Sequence, residues 1–302
     1  MSMRTRAKCG VRKAALAVLG AGAVACAPLE EAAVDGAAGG ETTVAASFDG
    51  ADYGSEAEKL AHGERVSRVL GCNSCHLADY TGADFGEMIP LVDGLWATNI
   101  TRTMPGMSDA ELERLLREGV HPSREIYLMP SKQSQFLGDR DMAALIAFLR
   151  TLEPSGEPTP VPPPGFEAAV TARLPEDYWR TTEEGAPRSY HNAAEEVAYF
   201  AENAPPEFGE GTAQGRLVAL TVCTACHGAA LDGVGEPAGD IGRAVAYDDD
   251  QLRRLLLEGI GLEGEPIEMN WGSGHVPAEL TDGEIRAVVA YVRRLVEERG
   301  AS

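Results

Sequence analysis

Two short runs constrain this chain more than anything else in it. Gly71-Cys72-Asn73-Ser74-Cys75-His76 is matched far downstream by Val222-Cys223-Thr224-Ala225-Cys226-His227. These C-x-x-C-H runs use four of the six cysteines in 302 residues. Three chemistries compete for such a motif. Paired zinc knuckles stand roughly 15–20 residues apart, and these two runs are much too distant. A thioredoxin-type redox pair needs a βαβ setting, and no segment shows convincing period-2 alternation. Covalent haem attachment accounts for every letter: two thiols reach the two vinyl groups of one haem, and the next residue aims an imidazole at the iron. The expectation is two covalently attached haem c groups, bound through Cys72, Cys75, Cys223 and Cys226, with His76 and His227 as iron ligands.

The motifs sit in a larger repeat. HGERVSRVLGCNSCH, DAELERLLREGV and DRDMAALIAFLRTL follow one another in the first half. AQGRLVALTVCTACH, DDQLRRLLLEGI and DGEIRAVVAYVRRL follow in the same order in the second. Two large copies make a domain-sized repeat and not a solenoid. Ser108 with Glu111 forms a capping box for a helix over Asp109–Glu118, which Gly119 ends. Thr281 with Glu284 repeats the pattern at the last helix, and Asp248–Asp250 cap the helix that follows them. Leu145, Ile146, Phe148 and Leu149, like Ile285, Val288, Val289, Tyr291 and Val292, recur at helical spacing. The fold class predicted is mainly α: two tandem domains joined by a Pro-rich linker and an irregular middle segment.

The N-terminus has the marks of an export signal. Arg4, Arg6, Lys8, Arg12 and Lys13 precede the apolar run AALAVLGAGAVACA, which is too short to span a bilayer. Ala23-Val24-Ala25-Cys26 resembles a bacterial lipobox, so Cys26 is expected to become the lipidated first residue of the mature chain. Ala27 after it favours the outer membrane by resemblance to sorting rules. The whole chain carries a formal charge of −21; without the five leader cations, 21 basic residues face 47 acids, a net of −26. That excludes nucleic acid, which needs positive charge opposite phosphates, and suits a basic protein partner. The predicted division is 1–25 signal peptide, 26–55 lipid-anchored disordered tether, 56–153 first domain, 154–208 Pro-rich linker and connecting segment, and 209–302 second domain. EPSGEPTPVPPPG, Glu153–Gly165, is expected to be a stiff extended spacer. A helix is expected over His191–Asn203.

With these motifs in place, the chain resembles a tandem of two small cytochrome c domains, similar to the cytochrome subunits of bacterial alcohol dehydrogenases and related periplasmic electron carriers. The resemblance covers roughly residues 59–152 and 211–297. It implies N- and C-terminal helices crossed over each haem, with Gly63 against Phe148 and Gly215 against Tyr291. It implies a sixth iron ligand, usually Met, in the loop before the last helix. In the first domain that position falls on Met129 of IYLMPSK, while Met88, Met104 and Met107 are expected to fill the core. In the second domain Met269 has the matching spacing to Leu280-Thr281-Asp282, and His275 is its rival. The family also implies a carbonyl at a proline, Pro90 or Pro237, to fix each ligating imidazole. His62, His121 and His191 are expected at surface or structural positions.

The expected function is a carrier of single electrons between redox partners at the periplasmic membrane surface, with no catalytic residues. The alternative is a di-haem redox enzyme, peroxidase-like or a small-molecule dehydrogenase, with one open haem. Thiosulfate oxidation, marked by a cysteine ligand, would leave only Cys26 for that role. A haem sensor that changes its docking with redox state is a third possibility.

Overall fold

The computed structural model describes residues 46–173, 192–233, 238–269, 272–273 and 279–300. The predicted signal peptide, Cys26 and most of the expected tether lie outside them, as do His191, Pro237 and His275. The described chain is mainly helical. Its α-helices in chain order are α1 Glu56–Val69, α2 Cys72–His76, α3 Phe85–Met88, α4 Ile100–Thr103, α5 Asp109–Glu118, α6 Ser131–Ser134, α7 Asp139–Leu149, α8 Phe166–Thr171, α9 Ala193–Glu202, α10 Glu210–Val218, α11 Thr224–His227, α12 Asp249–Glu258 and α13 Asp282–Gly300. One antiparallel pair of two-residue strands joins Glu268–Met269 to Gly272–Ser273. Among the described residues, no helix is long and apolar enough to cross a membrane.

Local sequence signals explain where these helices begin and end. Ser108 Oγ accepts from Glu111 N–H while the Glu111 carboxylate accepts from Ser108 N–H, and Gly119 closes α5 in the left-handed conformation at φ +68°. Asp248 and Gln251 repeat the reciprocal box at α12. Thr281 and Glu284 do the same at α13. Each box satisfies amide donors that a helix start would otherwise leave without partners.

Two helix crossings organise the molecule. α1 crosses α7, and α10 crosses α13. Both crossings need glycine. A Cβ on Gly63 would stand 2.5 Å from the Ala144 carbonyl carbon and 2.9 Å from Phe148 Cβ. On Gly215 it would stand 2.6 Å from the Ala287 carbonyl carbon and 2.8 Å from Tyr291 Cβ. The small-against-aromatic contacts expected from the family resemblance are therefore present at both crossings.

The described residues from Ala46 onward belong to one compact unit. Its larger apolar core runs from Val66, Leu112, Leu145 and Leu149 to Leu217, Val218, Ile285 and Tyr291, and a second, smaller cluster gathers Val92, Leu95, Phe166 and Val170. Two segments differ from expectation. The tether expected to reach residue 55 ends earlier, because from Ala46 the chain is packed: Phe48 is buried, and its N–H donates to Asp141 Oδ2 at 3.1 Å. Asp49 reaches the other crossing, where its N–H donates to Glu284 Oε1 at 2.9 Å and its Oδ1 accepts from Gln214 Nε2 at 2.8 Å. Arg65 of α1 pairs with Glu284 of α13, a carboxylate with no exposed surface. The Pro-rich run is extended but docked. Asn99 Nδ2 donates to the carbonyls of Ser155 and Glu157 at 2.8 and 2.9 Å, and Arg102 donates to that of Gly156. Proline has no N–H to give, but an extended chain offers its carbonyls sideways. The helix expected over His191–Asn203 appears as α9, capped by the Asn192 side chain.

Candidate functional site

The first C-x-x-C-H run is a single helical turn set off from α1 by two residues. Leu70 ends α1, and Gly71 takes φ +70°, which lets the chain start afresh as α2. The turn presents Cys72, Cys75 and His76 to one cavity, a space of about 1160 Å³ including its open mouth. The wall is largely apolar: Leu95, Trp96, Met104, Met107, Leu112 and Leu116 contribute to it. Met129 lies in the same wall, on the loop between α5 and α6 and directly before Pro130. Met104 and Met107 are buried in the core as expected, and they also line the cavity. The side chain of Met88 lies outside the described residues.

His76 is held in one tautomer. Its Nδ1 lies 2.6 Å from the carbonyl oxygen of Thr98. A carbonyl can only accept, so Nδ1 carries the proton and Nε2 keeps a free lone pair. Burial pushes the imidazole below its ordinary pKa, against a weaker upward pull from the Thr98 bond. The result is a neutral ring with one basic nitrogen, which is what a metal ligand requires. The acceptor is Thr98 and not Pro90, which starts a separate turn at Pro90–Val92. Thr98 has a second role: its hydroxyl accepts from Arg124 Nη2 at 2.8 Å. Arg124 and His121 thus put basic groups on an otherwise apolar wall. His121, expected at a surface or structural position, lines the cavity, and His62 is structural, buried with its Nε2 2.7 Å from Asp141 Oδ1.

The second run is presented by another backbone device. α10 does not stop; it widens into a π-turn over Ala219–Cys223 and continues as α11, which ends at His227. π-turns of this kind are frequent at functional sites. Thr221 and Thr224 return their hydroxyls to the carbonyls of Leu217 and Leu220 at 2.7 and 2.6 Å, filling the interior of the bend. His227 Nδ1 lies 2.6 Å from the carbonyl of Gly239, so the same tautomer follows. Burial lowers its pKa, opposed by that bond and by the charge of Asp240. Met269 falls in the first of the two short strands. Its side chain, like the whole of His275, lies outside the described residues, so the choice between them stays with the sequence.

The four motif cysteines are half-buried, in two separate places. Among the described residues, no cluster of three or more His, Cys, Asp or Glu is placed to hold a metal ion directly. Burial pushes the Cys72 and Cys223 thiols up to about 12, with the neighbouring Cys75 and Cys226 adding to the effect. Thiols kept neutral beside an apolar cavity, next to an imidazole with its outer nitrogen fixed, fit covalent haem attachment. They do not fit a site that binds a bare cation through thiolates.

Residues 212–295 match the family model for cytochrome c. No match was found among curated proteins. The family match covers most of the second copy, from within α10 to within α13, and supports a c-type cytochrome with covalently bound haem c and an electron-transfer function. The first copy, with its Cys72–His76 turn and cavity, lies outside the matched span.

Proposed function

We propose that this chain is a di-haem c-type cytochrome that carries single electrons between redox partners. One observation carries this reading beyond the family match: both motifs present a histidine whose Nδ1 is tied to a backbone carbonyl at 2.6 Å. The first adds an apolar cavity with a methionine in its wall. A haem bound there supplies one-electron chemistry, its iron alternating between ferrous and ferric.

The chain's residues have defined tasks. Cys72 and Cys75, or Cys223 and Cys226, would hold a haem as thioethers, each thiol S–H adding across one vinyl C=C. His76 and His227 would ligate through Nε2. Met129 would supply a further iron ligand in the first site, and Met269, with His275 as rival, in the second. A thioether favours ferrous iron and raises the potential relative to a second imidazole. The apolar wall would keep water from a haem held there. The finer picture continues the sequence: an exported protein held at a periplasmic membrane surface through lipidated Cys26, receiving electrons from a donor such as a dehydrogenase and passing them to a basic partner. The net charge of −26 on the mature chain supports that partner's sign.

The test is a haem count and a carbon monoxide titration on the purified holoprotein. Two haems per chain, and a reduced spectrum unchanged by carbon monoxide, are expected. One haem per chain refutes the di-haem reading. A shift in half of the haem refutes closed coordination at one iron and favours the enzymatic alternative.

A further inference from the structure

α6 has an unusual composition for its place. It is Ser131-Lys132-Gln133-Ser134, wholly polar, yet all four residues are buried. It begins two residues after Met129. Buried polar side chains are costly unless each finds a partner, and here each finds a different one. Ser131 Oγ and Ser134 Oγ donate to the carbonyls of Leu115 and Leu116 at 2.8 and 2.6 Å, in the last turn of α5, where helical carbonyls need outside partners. Lys132 Nζ donates to Glu196 Oε1 of α9 at 3.0 Å and lies 4.5 Å from the centre of the Phe200 ring. Gln133 Nε2 donates to the carbonyl of Thr221 at 2.6 Å, inside the π-turn that precedes Cys223.

The chain on the other side of Met129 is held by the same helix. Tyr127 pairs with Asn192 in an antiparallel bridge, and Ala193 N–H donates to the Ile126 carbonyl at 2.8 Å. α9 therefore grips the Met129 loop before and after the methionine. α9 belongs to neither sequence repeat, and Thr221 belongs to the other copy.

We propose that α9, through Lys132–Glu196, and the second motif's π-turn, through Gln133–Thr221, position Met129 as the sixth ligand of the first haem. Lys132, Gln133 and Glu196 are positioning residues; none touches the cofactor. The inference rests on the proposed function. It goes further by making ligation in one copy depend on the connecting segment and on the other copy. Ser131 and Ser134 alone would fasten the loop to its own copy; the other two ties extend beyond it.

The experiment uses the full-length holoprotein and imidazole as an external ligand competing for ferric iron. The readout is the weak far-red band of thioether-ligated ferric haem. Lys132→Met with Glu196→Leu removes the ion pair without stranding a buried charge; Gln133→Leu removes the second tie. Each is expected to lower the imidazole concentration that displaces the methionine about tenfold at the first haem. The second haem's spectrum should be unchanged and serves as the folding control. Met129→Ala identifies the first haem's share of the band. If Met129→Ala leaves the band intact, the ligand reading has failed and the inference with it. If Met129→Ala removes its share but the Lys132/Glu196 and Gln133 variants titrate like wild type, the ligand reading stands and the inference is overturned. If either variant perturbs both haems equally, the ties are general supports and the inference is likewise overturned.

Discussion

Gly215→Ala is the sharpest test of the helix-crossing argument, because two effects predict opposite signs. Alanine is the better helix former by up to ~1 kcal/mol, so a free position would be stabilised. At Gly215 the new Cβ would lie 2.6 Å from the Ala287 carbonyl carbon and 2.8 Å from Tyr291 Cβ, where ordinary contact starts at 3.4 Å. Neither obstacle is the tip of a flexible side chain, and the Ala287 carbonyl oxygen stands closer still, so α10 and α13 must part to admit the methyl group. Overpacking of this kind costs about 1–3 kcal/mol, and a backbone obstacle places it at the upper end. The net is a loss of about 2 kcal/mol, or roughly 4–8 °C in the thermal midpoint for a protein near this size. Gly211 supplies the control. It lies in the same helix, and a Cβ there meets nothing within 4 Å, so Gly211→Ala should hold or raise the midpoint. Thermal unfolding of the holoprotein followed by far-UV circular dichroism measures both. A Gly215→Ala midpoint equal to or above that of wild type would refute the close-crossing argument, whatever Gly211→Ala does.

Glu284→Gln should cost about 3 kcal/mol, the low end for breaking a buried ion pair because Arg65 keeps 19% of its side chain exposed; chemical denaturation reads it directly. The Ser108 N–H, with help from the Ser108 side chain, holds the Glu111 carboxyl below the usual carboxylate range. A depressed folded pKa gives stabilisation that is complete above the unfolded value of ~4.3 and is lost as pH falls through the folded one. The thermal midpoints of wild type and Glu111→Gln should therefore differ at pH 7 and converge below about pH 4. Arg124→Met removes a cation from the cavity wall, which favours ferric iron, so the first haem's midpoint potential should fall. The size is roughly 50–90 mV, the ~1–2 kcal/mol that unit charges ~8–16 Å apart exchange at an effective dielectric of ~20; redox titration of the holoprotein checks sign and size.

The parts legible in the sequence are those where residue type alone carries the signal. Capping boxes name their own residues, and Ser108, Glu111, Gly119, Asp248 and Thr281 sit where they were expected. A glycine facing an aromatic one helix away survives as a pattern, so both crossings could be found. The acceptors of the two imidazoles could not. Thr98 and Gly239 act through backbone carbonyls, which every residue has. The packing of residues 46–55 was hidden because Phe48 and Tyr53 are isolated aromatic residues in an otherwise small and acidic run. α6 was hidden for a related reason: SKQS has the composition of a surface turn, and only its four partners, distant in sequence, make it interior. The two motifs look alike as letters, yet one starts after a left-handed glycine and the other grows from a widened helix. That difference lies in backbone geometry to which the shared pattern is blind.

The packed strap at residues 46–49 also decides how the molecule bears load. Phe48 is fastened to Asp141 in one half and Asp49 to Glu284 and Gln214 in the other. Tension arriving from the N-terminal side of Ala46 is therefore shared between two parallel attachments, one on each helix crossing. Drag on the body, or the tug of a departing partner, would strain both halves together and not pry one from the other. If the chain is moored at Cys26, the mooring line is spliced into the seam, and the distance between the two C-x-x-C-H turns is shielded from the motion of the surface to which it is tied.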